Sequence, residues 1–497
     1  MSSERHRLLL GTSWTLASTL VALVAGAVLN PVLVLYLGVG GFGTWASAIA
    51  LASIFGLAGD LGVAAALTKI VAERRGMSKG IESLGGSALV LAVAAGGVAG
   101  LALFAVSFLM AGYVKYAEFP ALLRLQALQM PLNLGSASLL GILQGGRRFR
   151  TLAVFTMFQS VGSVAFVAAA LGVGGGIVGA MAASVTATAV GFVVLCMTRR
   201  ADLYFAGTSA LGTDFRRLVP FGVQLTATNA LSTVLYQADL VLLSALTGDA
   251  VIVGIYALAV FSTRILWIIP GSISVTTYPV VSEYAAAGDA SRIDRYLSAA
   301  ILASLTVVGS LGSAFLIFGR PLLRLFFGAD SVGAYDLAIP MLLGTAVLGA
   351  LRSIAPSLTS VGRPDVGLGI SAFGAGVLVV LAYALTRGYG ASGAAFAVSI
   401  SFTVVSIALV LAIERFVVRP AGGRLRSKRL GITTASAAVV ALVSALLALP
   451  AQPTLPNAVW AIALWASLVL VLTVASGGRK TWSGIFRGTA SVPERAP

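Results

Sequence analysis

The chain has 497 residues, 58% of them hydrophobic and 10% charged, with a mean hydropathy of +0.99. An ordinary soluble domain carries roughly 25% charged residues, so a water-facing globular surface is excluded and the chain reads as an all-α polytopic membrane protein. The net charge of +16 would point to nucleic acid in a soluble protein. Here the basic residues fall in short segments between apolar runs, where they report topology, and no nucleic-acid partner is expected.

The N-terminus carries Arg5, His6 and Arg7 ahead of an apolar run from Leu8, with an A-x-A pattern at Ala25-Gly26-Ala27. The run is too long for a usual signal peptide, and it reads as a first, uncleaved helix. A crossing helix needs about 20 apolar residues. Runs of that length predict 14 crossings, near 8–36, 43–68, 84–110, 122–143, 151–172, 176–198, 218–246, 251–280, 297–318, 335–358, 365–386, 391–413, 431–449 and 457–476. Pro31, Pro131, Pro270, Pro279, Pro340 and Pro356 fall in or at the ends of these runs and predict kinks or breaks.

The stretch from Asn30 to Arg75 sets the pattern. It has a glycine-rich external turn (Gly38, Gly40, Gly41, Gly43), a re-entering helix from Trp45 holding Asp60, and a basic end at Lys69, Arg74 and Arg75. The pattern recurs. Phe42-Gly43-Thr44-Trp45-Ala46 is echoed by Val253-Gly254-Ile255-Tyr256-Ala257, Gly146-Arg147 by Gly362-Arg363, and Gly176-Ile177-Val178-Gly179-Ala180 by Gly390-Ala391-Ser392-Gly393-Ala394, at offsets of 211, 216 and 214. An even number of spans per copy predicts two six-helix lobes with pseudo-two-fold symmetry about the membrane normal. The lobes are expected at 1–200 and 201–415, followed by two additional transmembrane helices at 416–478. A basic tail over 479–497 is expected to be disordered and cytoplasmic.

Of the 33 Lys and Arg residues, 26 fall on the side of both termini and five on the other. That asymmetry predicts a plasma-membrane protein with both termini cytoplasmic. Lys69, Arg147 and Arg217 sit at predicted cytoplasmic helix ends. They serve either as topology and lipid-headgroup contacts or as a basic entrance for a phosphorylated substrate.

The remaining two cations, Arg264 and Arg352, lie inside spans 8 and 10, and Asp60 and Asp239 lie inside spans 2 and 7. Charges within spans face a cavity or a partner by default. In one reading Arg264 and Arg352 line a cavity and bind an anionic group, because the guanidinium fork meets phosphate oxygens bidentately and stays protonated. Asp60 and Asp239 then pair with them, or one carries a coupling proton. In the blander reading Asp60–Arg352 and Asp239–Arg264 are static pairs, and Asp60 caps a local break before Leu61-Gly62. Gln126, Gln129, Asn133, Gln144, Gln159, Gln224, Asn229 and Gln237 either bind sugar hydroxyls or join helices.

Catalytic signatures are missing: no Walker A pattern, no G-x-S-x-G elbow, and a single histidine and a single cysteine, Cys196, neither in a metal-ligand cluster. No enzyme activity, cofactor or metal is expected, and uphill transport must draw on an ion gradient or the membrane potential.

Several motifs together resemble the polysaccharide-biosynthesis exporters of the Wzx type, the lipid-linked oligosaccharide flippases. They are Leu37-Gly38, Phe42-Gly43-Thr44-Trp45, Gly59-Asp60-Leu61-Gly62, Ala65-Ala66-Leu67-Thr68-Lys69, Gln237-Ala238-Asp239, Gly254-Ile255-Tyr256-Ala257 and Ser360-Val361-Gly362-Arg363-Pro364. The wider superfamily also includes multidrug/cation antiporters and lipid II flippases. The lipid II branch usually has arginines in spans 1 and 2, and span 1 here has none within the bilayer. The resemblance implies alternating access between two lobes and a polyprenyl-pyrophosphate-linked oligosaccharide as substrate. It further implies a lipid tail left in the bilayer, coupling to H+ or Na+, and glycan-assembly enzymes as partners beside the membrane lipids. Arg264 is placed as the family's cavity arginine would be. The alternatives are a cation-coupled multidrug-type antiporter and a non-transporting scaffold for glycan-assembly enzymes.

Overall fold

The structure is a computed structural model. It describes residues 2–60, 62–76, 85–110, 116–146, 148–198, 209–419, 436–450 apart from 438, 442, 445 and 447, and 452–475. Every regular element among them is helical: α1 (Ser2–Asp60), α2 (Val63–Gly76), α3 (Gly85–Met110), α4 (Phe119–Gly145), α5 (Phe149–Gly172), α6 (Gly176–Thr198), α7 (Ser209–Thr247), α8 (Ala250–Arg264), α9 (Ile268–Ala286), α10 (Ala290–Phe327), α11 (Ala334–Arg352), α12 (Ser357–Ser360), α13 (Pro364–Ile413) and α14 (Leu455–Ala475). Short helical pieces lie between 436 and 446.

Ten stretches among the described residues are long and apolar enough to cross a membrane. The two longest exceed one passage by the widest margin. Residues Ala17–Gly56 and Pro364–Val418 run to 40 and 55 residues, whereas a helix rising about 1.5 Å per residue crosses the hydrocarbon in about 20. Each is broken by a glycine with positive φ, Gly38 (φ 71°) in α1 and Gly390 (φ 59°) in α13. Only a residue without Cβ adopts that conformation readily. The predicted external turn after the first span is therefore this one residue, and Gly40, Gly41 and Gly43 continue the helix beyond it. The two halves of α13 share one apolar groove lined by Phe373, Val377, Val380, Ile400 and Val404, so they run side by side. The predicted fourth crossing, 122–143, lies within the helix α4, which is not among those ten stretches. The predicted thirteenth, 431–449, lies partly outside the described residues, as does all of the tail over 479–497.

The repeat is visible in the backbone. Positive-φ glycines fall at Gly38 and Gly248, and again at Gly176 and Gly390. These are the turns between spans 1 and 2, 7 and 8, 5 and 6, and 11 and 12 of the two copies.

By contact the chain divides into two compact units, 1–254 and 255–497. In the first, α3 lies against α4, because a Cβ on Gly96 would come 2.6 Å from Pro131 Cα and one on Gly100 would come 2.5 Å from the Ala127 carbonyl oxygen. Small residues let membrane helices approach this closely, where van der Waals contact replaces the hydrophobic drive available in water. Glycines from the two copies meet in the same way, Gly43 against the Ala250 carbonyl and Gly254 against that of Val39. In the second unit, α11 lies against α13, with the Gly344 N–H donating to Ser399 Oγ at 3.1 Å. α10 packs on α14, and the Trp465 indole N–H donates to the Ser310 carbonyl at 3.0 Å.

Candidate functional site

Two breaks in the second unit build the site. Between α8 and α9 the chain tightens into a 3₁₀ turn at Ile265–Trp267. Pro270 explains it: a proline offers no N–H to the carbonyl four residues earlier, and its ring clashes there. That carbonyl belongs to Leu266, inside the turn. The same rule ends α11. Its last residue, Arg352, stands four before Pro356, and the chain turns irregularly through 353–356 before α12. Non-helical backbone at membrane depth persists only where protein or a water-filled cavity satisfies its polar groups. Here Thr277 Oγ1 on α9 donates to the Ser353 carbonyl at 2.6 Å, and Ser353 Oγ donates to the Ala350 carbonyl at 2.7 Å.

Each broken helix therefore ends on an arginine. Arg264 occupies the last turn of α8 and Arg352 that of α11. The C-terminal carbonyls of a helix present a partial negative charge that favours a cation, typically by about 0.3–1 kcal/mol.

The two arginines converge on one side chain. The Arg352 guanidinium carbon lies 4.8 Å from the centre of the Trp267 ring and that of Arg264 lies 5.8 Å from it. Trp267 is fixed from three sides. Its indole N–H donates to the Thr345 carbonyl of α11 at 2.8 Å. Gly349, one turn further along α11, leaves room for the ring, since a Cβ there would come 2.5 Å from Trp267 Cδ1. Phe402 of α13 packs against the indole at 5.7 Å between centroids. Two cations in one half-buried place repel by on the order of 2 kcal/mol at an effective dielectric of about 20. A cation–π contact returns about 0.5–2 kcal/mol each, so a shared indole offsets a repulsion of that size. An anion arriving between the guanidiniums would turn the repulsion into attraction.

The sequence candidates divide between the units. Arg264 and Arg352 belong to the second and come together. Asp239 is buried on α7 in the first unit. Asp60 is the last residue of α1, and its carboxylate accepts the backbone N–H of Ala64 across a break at Gly62 (φ 71°), at the start of α2. This is the capping arrangement expected before Leu61-Gly62. The side chains of Lys69 and Arg217, and the whole of Arg147, lie outside the described residues. Of the polar candidates within spans, Gln126 donates to Met181 Sδ and Gln129 to Thr188 Oγ1, both joining α4 to α6. Gln159 of α5 abuts Gly191 of α6.

Trp267 is the member of the site that sequence reasoning missed. Its position three residues after an intramembrane arginine and three before a proline was the available signal.

The family profile described as polysaccharide biosynthesis protein matches residues 8–285. No match is found among curated proteins. Among solved structures, an inward-facing multidrug resistance MATE family transporter of the MOP superfamily is similar at a TM-score of 0.67 and 15% identity, covering 81% of this chain and 95% of its own. The lipid II flippase MurJ in an inward closed conformation is similar at 0.59 and 13%, covering 96% and 100%. The Vibrio cholerae MATE transporter VcmN in its bent form is similar at 0.56 and 15%, covering 85% and 98%. At these identities the likeness is one of fold.

Proposed function

Because the chain belongs to the polysaccharide biosynthesis protein family, we propose that it is a flippase. It carries a polyprenyl-pyrophosphate-linked oligosaccharide from the cytoplasmic to the outer leaflet of the plasma membrane, for surface polysaccharide or glycoconjugate assembly. The two repeat lobes, 1–200 and 201–415, alternate access to a central path, and the lipid tail stays in the bilayer. The observation that carries this reading is the pair of arginines on Trp267. Intramembrane guanidiniums are costly and mark substrate pathways, and their planar forks suit phosphate oxygens. Asp239 joins the candidate set, with Lys69, Arg147 and Arg217 as a basic cytoplasmic entrance, while Asp60 serves as the cap at the start of α2. Transport without a nucleotide site draws on H+, Na+ or the membrane potential, and neighbouring glycan-assembly enzymes supply and consume the lipid.

The second reading is a cation-coupled multidrug-type antiporter, favoured by the fold likeness to MATE transporters. The arginine pair favours the first reading, since two guanidiniums on one ring suit an anion better than a cationic compound. Export of the glycan in cells and headgroup accessibility in proteoliposomes separate the two. Arg264→Ala is expected to abolish glycan export while the protein inserts at wild-type level. Undiminished export by that variant removes the site from the mechanism.

A further inference from the structure

We propose that Trp267 is the positioning residue that spaces Arg264 and Arg352 for a diphosphate and sets the preference for a diphosphate over a monophosphate headgroup. The inference rests on the anion-binding reading above. Both guanidiniums lie against the same ring, 4.8 and 5.8 Å from its centre, so their separation cannot exceed those two distances laid end to end. Two phosphoryl groups joined through one oxygen present two adjacent anionic faces, and each guanidinium can take one of them. A monophosphate presents one face and engages one fork well.

The spacing is fixed because the ring is fixed. Its N–H is tied to the Thr345 carbonyl, Gly349 admits its edge, and Phe402 closes another side. The three groups come from α11 and α13, while the indole comes from the turn between α8 and α9. The ring gives the two guanidiniums one common surface at the ends of two helices. Phenylalanine would keep a π face but lose the N–H tether.

The test uses the full chain in lipid nanodiscs, titrated with farnesyl diphosphate and farnesyl monophosphate. Wild type is expected to prefer the diphosphate by about ten-fold or more, equivalent to about 1.4 kcal/mol. Trp267→Leu is expected to collapse that ratio while leaving monophosphate affinity nearly unchanged. Trp267→Phe is expected to give an intermediate ratio, and it serves as the test if the leucine variant shows no cooperative melting. A ratio unchanged by both substitutions, an equal loss of both affinities, or a wild type without preference overturns the role. Transport of a lipid-linked oligosaccharide in proteoliposomes is scored separately. A wild type that shows the preference but flips nothing removes the flippase reading and leaves the positioning role. A wild type that flips while the ratio ignores Trp267 removes the positioning role alone.

Discussion

Asp60 and Arg264 look alike in the sequence, each a single charge in an apolar run, yet they do different physical work. The Asp60 carboxylate meets a backbone N–H at the start of α2, where a helix has donors without partners. Asparagine caps as well as aspartate, and loss of such a cap costs about 1 kcal/mol. Asp60→Asn is therefore expected to keep wild-type transport and melting, and Asp60→Ala to melt at lower temperature with transport reduced only in proportion to folded protein. Abolished transport in the asparagine variant, with unchanged melting, would instead make Asp60 a coupling group. Arg264 sits in a different setting, in the last turn of α8. It stands at a helix C-terminus beside an indole and a second guanidinium, which suits an anionic ligand.

α11 ends four residues before Pro356, and Pro270 leaves the Leu266 carbonyl in the turn after α8 without its helical partner. For α8 and α9 the consequence is angular as well. Three residues wound at about 3.0 rather than 3.6 per turn rotate the following helix by about 60° relative to a continuous one. That rotation sets the direction of Trp267 against α11. Pro270→Ala restores the missing donor and lets α8 run into α9. The expected outcome is melting at or above the wild-type temperature together with glycan export lowered about ten-fold or more, the indole having turned away from Thr345. Export unaffected by a continuous helix would show that the break does not matter to function. Glycine acts oppositely to proline in this chain. Gly38 and Gly390 break helices through positive φ, whereas Gly96 and Gly100 are helical and serve close packing of α3 on α4.

The distribution of charge speaks for the whole molecule. With 26 of 33 cations on one side, the N-terminus is expected in the cytoplasm. Several of the few cations expected on the outer side lie over aromatic rings: Arg124 is 4.7 Å from the centre of Phe108, Arg320 is 4.5 Å from that of Tyr335, and Arg387 is 4.8 Å from that of Tyr383. The chain has one cysteine, Cys196, so a Cys196→Ser background is free of thiols. Ser2→Cys in that background is expected to resist a membrane-impermeant maleimide in whole cells, and Asp330→Cys to react. The reverse labelling would invert the orientation and, with it, the direction of transport.

Hydropathy, prolines and glycines act locally along the chain, so the sequence by itself determined the membrane class, the helical fold and the repeat, and marked the breaks at Pro270 and Pro356, whereas Pro31, Pro131, Pro279 and Pro340 lie inside helices. The same local logic made the Asp60 cap legible. It could not decide which intramembrane charges meet. Arg264 and Arg352 stand 88 residues apart, and no periodicity links them. The sequence reading left open whether they line one cavity or each pairs with a carboxylate. What brings the arginines to one indole is the close approach of the α8–α9 turn to α11, permitted by the missing side chain of Gly349 and held by the Thr345 carbonyl. Both are properties of packing between distant segments, and only the tertiary structure decides them.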